Sequence, residues 1–174
     1  VHTVARRSDS LMQFVNSYRQ ITRLAPPEKK RVHIGDMFES VKRLVEAEWP
    51  SRQSVLVVSV EPAELDVYAD RDLLEPVVMN LLRNAFQATQ DVDQPHIELR
   101  SRLNRRGNVV IEVDDNGPGI ADEIARKIFV PFFTTKKEGS GVGLALARQV
   151  MTAHGGFVRV ARSDSGGALF TLTF

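Results

Sequence analysis

Cysteine is absent from the 174-residue chain, which excludes disulfides and thiolate metal sites and fits a reducing compartment such as the cytoplasm. An excess of either charge is also missing. With 23 basic against 22 acidic side chains the net charge is +1, so no global field draws the protein toward nucleic acid or an anionic membrane. Any anion it binds must be held locally. Histidine is scarce: His2, His33, His96 and His154 lie far apart and form no HExxH or other ligand pair, which argues against a zinc site. No apolar run approaches the roughly 20 residues that span a bilayer, and no signal peptide opens the chain. The length suits one ordinary domain with a helical appendage and suffices to bury a real core.

The pattern that is present divides the chain in two. Val1, Val4, Leu11, Val15 and Tyr18 recur at three- and four-residue steps, with Ser8 and Thr22 in the remaining seam positions and Phe14 and Ile21 widening the stripe. This predicts an amphipathic helix to about Leu24, stopped by Ala25-Pro26-Pro27. A short strand, Val32-His33-Ile34, follows. Gly35-Asp36 reads as the entry to a helix whose apolar face is Met37, Phe38, Val41, Leu44 and Val45, ending near Trp49-Pro50. The runs at 54–60 and 65–69 are strand-like, with a Pro62 turn between them. Asp70 is the expected N-cap of a helix to about Gln90, with Pro76 placed to distort it. Two further strands flank "NRRGN"; a short helix "ADEIARKIF", a helix from Val142 to about His154 and a closing hairpin complete the chain. The expected class is α+β, a two-layer sandwich with helices on one face of a mixed, mostly antiparallel sheet, preceded by the amphipathic helix.

Four stretches carry chemistry. In "EVDDNGPGI" an apolar strand ends at Asp114 and Asp115, and Gly117 and Gly119 leave room for a flat ring beside the chain. A carboxylate there suits an exocyclic amine such as that of adenine; an ordinary acidic turn is the alternative. In "GSGVGLAL", Gly139, Gly141 and Gly143 enter a helix whose N–H groups and dipole can face phosphates, or they form a plain linker. In "NLLRNAFQA", Asn80 and Asn84 lie four apart on one helical face; their amide oxygens suit Mg²⁺ with bound phosphates, or they are two satisfied buried amides. In "FVPFFTTKKEGSG", aromatic rings anchor a polar run, Thr134, Thr135, Lys136 and Lys137, that reads as a lid or as a solvated loop.

In this order and at these separations, the four stretches resemble the N box, first glycine box, F box and second glycine box of the catalytic domain of sensor histidine kinases, within the Bergerat-fold ATPase superfamily. The likeness covers roughly residues 32–174, and "FVNSYRQITRLAPP" resembles kinases of the nitrogen-regulation type. It implies a catalytic and ATP-binding domain over 32–174, with residues 1–27 as the second helix of a truncated dimerisation and phosphoacceptor hairpin. Asp115 would take the adenine amine, with Gly117, Gly119 and Ile120 beside the ring. Asn84 would ligate Mg²⁺, with Asn80 one turn earlier in the same site. Gly139, Ser140, Gly141, Val142, Gly143 and Leu144 would wrap the triphosphate, with Thr134, Thr135 and Lys136 or Lys137 in the lid. Many relatives carry a basic residue where this chain has Gln87; Arg83 is either a substitute for it or a solvated helix charge.

The resemblance also implies the reaction. The superfamily's hydrolases carry a Glu four residues before the Mg²⁺ asparagine, whereas Asn80 cannot take a proton, so the γ-phosphoryl is kept for a side-chain nucleophile. Asn80, Asn84 and Lys136 are the expected catalytic set. The family's acceptor histidine is followed by an acidic residue, but Thr3, Ile34, Ile97 and Gly155 follow the four histidines here. The expected acceptor therefore lies on an upstream helix outside this chain, which by itself would bind ATP without autophosphorylating. A response regulator receiver domain, the upstream sensor region and a homodimeric full-length protein are the implied partners. The alternatives are a Bergerat-fold ATPase, an anti-sigma-type serine kinase and a non-catalytic ATP-binding module.

Overall fold

The computed structural model describes residues 25–49, 55–136 and 139–174, so the expected helix over 1–24 lies outside the described residues. In chain order the elements are β1 (Lys30–His33), α1 (Ile34–Glu48), β2 (Leu56–Glu61), β3 (Asp66–Ala69), α2 (Arg71–Ala88), β4 (Ile97–Leu103), β5 (Val109–Asp115), α3 (Asp122–Ala125), α4 (Gly143–Ala153), β6 (Phe157–Arg162) and β7 (Ala168–Thr173). Strands β2-β4-β5-β7-β6, in that spatial order, form one sheet, and β1 pairs with β3 in a separate two-stranded sheet. Only β2 and β4 run parallel; every other neighbouring pair is antiparallel.

Period-two alternation sorts the large sheet into two faces. Ile97 and Leu99 of β4, Ile111 and Val113 of β5, and Phe170 and Leu172 of β7 are buried in one cluster with residues of α1, α2 and α4. The other face carries an ionic ladder. Arg100 donates to Glu112 at 2.7 Å and to Glu98 at 2.7 Å, and Arg102 reaches Glu112 at 2.9 Å. Burial opposes ionisation of Glu112, but the hydrogen bonds from Arg100 and Arg102 outweigh it and hold the carboxyl below its usual range. A one-residue slip of β4 would exchange the two faces, so this pattern specifies the register.

Side chains fix the helix ends. Asp70 Oδ1 accepts from the backbone N–H of Asp72 (3.1 Å) and Leu73 (3.3 Å), as its N-cap position predicts. Its Oδ2 accepts from Glu28 N at 2.8 Å and ties the approaching chain to the same helix end. The buried His154 caps α4 and joins it to α2: Nε2 accepts from Asp70 N at 2.9 Å, which leaves Nδ1–H to donate to the Val150 carbonyl at 2.7 Å. Trp49, at the end of α1, stacks on Phe86 of α2 with ring centroids 4.7 Å apart.

Several expectations are corrected. Helix α1 begins at Ile34, before Gly35-Asp36, because His33 leaves β1 and its Nδ1 accepts from Asp36 N. Leu44, expected on the buried face, is 41% exposed. The run "ADEIARKIF" is helical only over the four residues of α3 and continues as turns. The strands either side of Pro62 belong to different sheets. Helix α2 passes through Pro76 without a break and stops at Ala88. No helix among the described residues is long and apolar enough to cross a membrane.

Loss of the double cap makes Asp70→Ala destabilising by about 1–2 kcal/mol in urea unfolding, whereas Leu44→Ala, at an exposed position, shifts stability by less than about 0.5 kcal/mol.

Candidate functional site

Asp115 is the last residue of β5 and only 3% exposed. Its Oδ1 accepts from Gly117 N at 2.9 Å and from Ala168 N at 3.3 Å, which leaves Oδ2 for a ligand. Burial pushes the carboxyl above its usual range, against the two backbone hydrogen bonds, which lower it. The turn between β6 and β7 fastens this corner: Ser165 Oγ donates to the Asp115 carbonyl at 3.1 Å. A Cβ on Gly167 would lie 2.0 Å from that same oxygen, so only glycine fits. The sequence reading missed Ser165, Gly167 and Ala168; the adjacent glycines of "SDSGGA" were the available signal.

Helix α2 supplies the facing wall. Asn80, Asn84 and Gln87 sit at i, i+4 and i+7, the spacing of one helical face. Lys136 reaches across from the F-box segment, and its ammonium donates to Asn84 Oδ1 at 2.8 Å and to Gln87 Oε1. Partial burial lowers the Lys136 pKa from its usual value. Asn80 Nδ2 is buried without a partner among the described residues, and the same amide packs where a Cβ on Gly143 would lie, 2.2 Å from Oδ1. A side chain at 143 would therefore displace Asn80. Arg83, one candidate phosphate contact, is engaged elsewhere: its guanidinium makes a two-pronged pair with Glu48 at 2.6 and 3.1 Å, and that hydrogen bonding raises its pKa against the cost of burial.

These walls enclose a cavity of about 780 Å³, within the range of sites for molecules of cofactor size. Asn80, Arg83, Asn84, Gln87, Asp115, Gly119, Ile120, Thr134, Thr135, Lys136, Gly139, Ser140, Gly141, Gly143 and Leu144 all line it. Gly117 and Val142 stand behind the wall. Gly117 packs against Ala88 and holds Asp115, and Val142 is buried at the start of α4, where no side chain among the described residues caps the helix. The uncapped N–H groups of the first turn give that end of the cavity the character of an anion site. Phe133, one of the expected anchoring rings, also lines it, and Ile124, Ile128 and Phe170 add an apolar lining that the motifs did not reveal. Ile124 lies in α3, Ile128 in the turn after it and Phe170 in β7, and residues so scattered have no common spacing to read.

On the helical wall of the cavity, the side-chain oxygens that a metal would find are all amides. Among the described residues no group of three or more His, Cys, Asp or Glu could hold an ion. Asn84 Oδ1 already accepts a hydrogen bond from a cation, and Asn80, whose unpartnered atom is the Nδ2 donor, lies one turn earlier in the same wall. Such neutral oxygens suit a hard divalent ion that brings its own phosphate and water ligands, as Mg²⁺ does.

Because the folded state binds the Asp115 proton more tightly than the unfolded chain does, this group's stabilising contribution is greatest at low pH and is lost as pH rises through the raised value. Asp115→Asn keeps Oδ1 for the two backbone donors and removes the buried charge. The ligand-free variant is expected to melt no lower than the parent at pH 7, its advantage shrinking as the pH is lowered, in calorimetric scans. Gly167→Ala, by contrast, lowers the melting temperature and deforms the 115–117 corner.

Known proteins resemble this chain. Residues 69–174 match the family model described as histidine kinase-, DNA gyrase B-, and HSP90-like ATPase. Over 169 residues the chain is 31% identical to the sensor histidine kinase ZraS of Salmonella typhimurium, covering 97% of this chain and 36% of that protein. It is also 31% identical to the signal transduction histidine-protein kinase AtoS of Escherichia coli, covering 97% of this chain and 28% of that protein. The chain thus spans about a third of these relatives' length. The solved catalytic domain of the histidine kinase ThkA superposes with a TM-score of 0.73 at 28% identity, covering 84% of this chain and 95% of that one. With the family model spanning the strand-end aspartate, the asparagine face and the glycine-rich helix entry, the chain belongs to the histidine kinase-, DNA gyrase B- and HSP90-like ATPases, as an ATP-binding catalytic domain of the sensor-histidine-kinase type.

Proposed function

We propose that this domain binds Mg²⁺-ATP and, within a longer cytoplasmic protein, transfers the γ-phosphate to a histidine on an upstream helix, from which it passes to a response regulator receiver domain. The observation that carries this reading is the convergence on one cavity of a buried carboxylate, a helical amide face and an uncapped helix N-terminus. Asp115 Oδ2 accepts the adenine amine. Gly119 and Ile120 flank the ring, and Gly117 holds the carboxylate from behind. Asn84 gives an amide oxygen to the metal, with Asn80 one turn earlier. The backbone of Gly139, Ser140, Gly141, Gly143 and Leu144, supported by Val142, surrounds the phosphates, and Thr134, Thr135 and Lys136 cover them. When bound, Mg²⁺ neutralises and orients the β- and γ-phosphates for in-line transfer.

Asn80 favours transfer to a side chain over hydrolysis, since an amide offers no base to a water molecule. The described histidines are poor acceptors. His33 caps α1, both ring nitrogens of His154 are hydrogen-bonded, and His96 is followed by Ile97 where the family's acceptor is followed by an acidic residue. An acceptor outside this chain is the consistent assignment, and dimerisation through the preceding helix would bring it to the site.

Asp115→Asn replaces an acceptor with a donor opposite the adenine amine. It is expected to weaken ATP binding about 10- to 100-fold in calorimetry, the equivalent of roughly 1.5–3 kcal/mol for a hydrogen bond to a charged group. Joined to its upstream segment, the domain is expected to form acid-labile, base-stable phosphoprotein with labelled ATP. Steady release of inorganic phosphate without phosphoprotein would place it with the hydrolases instead.

A further inference from the structure

Of the two cationic side chains lining the cavity among the described residues, Arg83 is committed to Glu48. Lys136 is held differently. Both of its acceptors, Asn84 Oδ1 and Gln87 Oε1, are neutral amide oxygens, and no carboxylate among the described residues pairs with it. Its ammonium therefore meets the cavity without a carboxylate to neutralise it. It rests on the very oxygen that the preceding section assigns to the divalent ion. Two cations cannot share one amide oxygen at contact without strong repulsion in a partly desolvated site.

We propose that Lys136, positioned by Gln87, is an internal cation that occupies the metal's place at Asn84 and allows this site to hold a nucleotide triphosphate without a divalent ion. This rests on the nucleotide reading above. In the metal-free complex the ammonium stays on Asn84 and Gln87 and neutralises the phosphates as a point charge. Loading with metal requires it to give up Asn84 and move to the phosphates alone. Gln87 is a positioning residue: it lies one turn beyond Asn84 on α2, and its carbonyl aims the ammonium without neutralising it. The consequence is a site whose affinity depends weakly on the metal, because one cation is exchanged for another instead of being added.

The test is calorimetric titration of ATP into the parent chain, Lys136→Met and Gln87→Leu, each in EDTA and in excess Mg²⁺, with melting temperatures to confirm folding. The parent is expected to bind ATP in EDTA within about tenfold of its affinity in Mg²⁺. The ratio of the two affinities should widen by a further tenfold or so in Lys136→Met, the size of one charge-assisted hydrogen bond. Gln87→Leu should widen it by less. Equal weakening under both conditions would make Lys136 an ordinary phosphate contact and overturn the proposal, as would no change under either. A parent that binds only with Mg²⁺ overturns this proposal and leaves the nucleotide reading standing, whereas a parent that binds ATP under neither condition overturns both.

Discussion

The burial of one carboxylate governs this structure. Asp115 ends the central strand inside the protein, where ionisation is costly, and the fold accepts that cost because two backbone N–H groups satisfy one of its oxygens. Its other constraints follow. The β6–β7 turn must reach β5 closely enough for Ser165 and Ala168 to bond Asp115, which leaves no room for a side chain at Gly167. A ligand that offers an N–H donor to the free oxygen relieves part of the cost, so binding specificity and stored destabilisation have the same origin.

The opposite wall is placed by helix ends. Asp70 and His154 join the start of α2 to the end of α4, and Asn80 meets Gly143 where α4 begins. The two helices are therefore registered at both ends of α4. The amide face of α2 and the open N-terminus of α4 arrive at one cavity as a result. Glu28 and Lys29 bring the preceding chain into the same junction, through Asp70 Oδ2 and the His154 carbonyl. That segment meets the end of α4 remote from its glycine-rich start.

Much of the site was legible because each of its parts is local. An apolar strand ending in Asp114-Asp115, two asparagines four apart and glycines entering a helix are patterns over fewer than ten residues, and all the residues they named except Asp114, Gly117 and Val142 line the cavity. Helix α2 and its cap at Asp70 were equally readable, since capping is a contact between residues two and three apart. Boundaries failed where an unforeseen cap or a tertiary contact decided them. The His33 ring took over the start of α1, and the segment after α3 gave up its helical pattern to build the wall around Ile128 and Phe133.

What the sequence determined by itself was the set of short-range devices: strand polarity, helix caps, the amide spacing and the absence of any charged excess. Tertiary structure alone decided that the strands beside Pro62 separate into two sheets, that Arg83 turns to Glu48 and Lys136 to Asn84, and that Ser165 and Gly167 hold Asp115. These are choices among partners 35 to 52 residues apart in the chain. Local propensity cannot rank them, because each side chain has several chemically equivalent partners and only the packed backbone brings one within bonding distance.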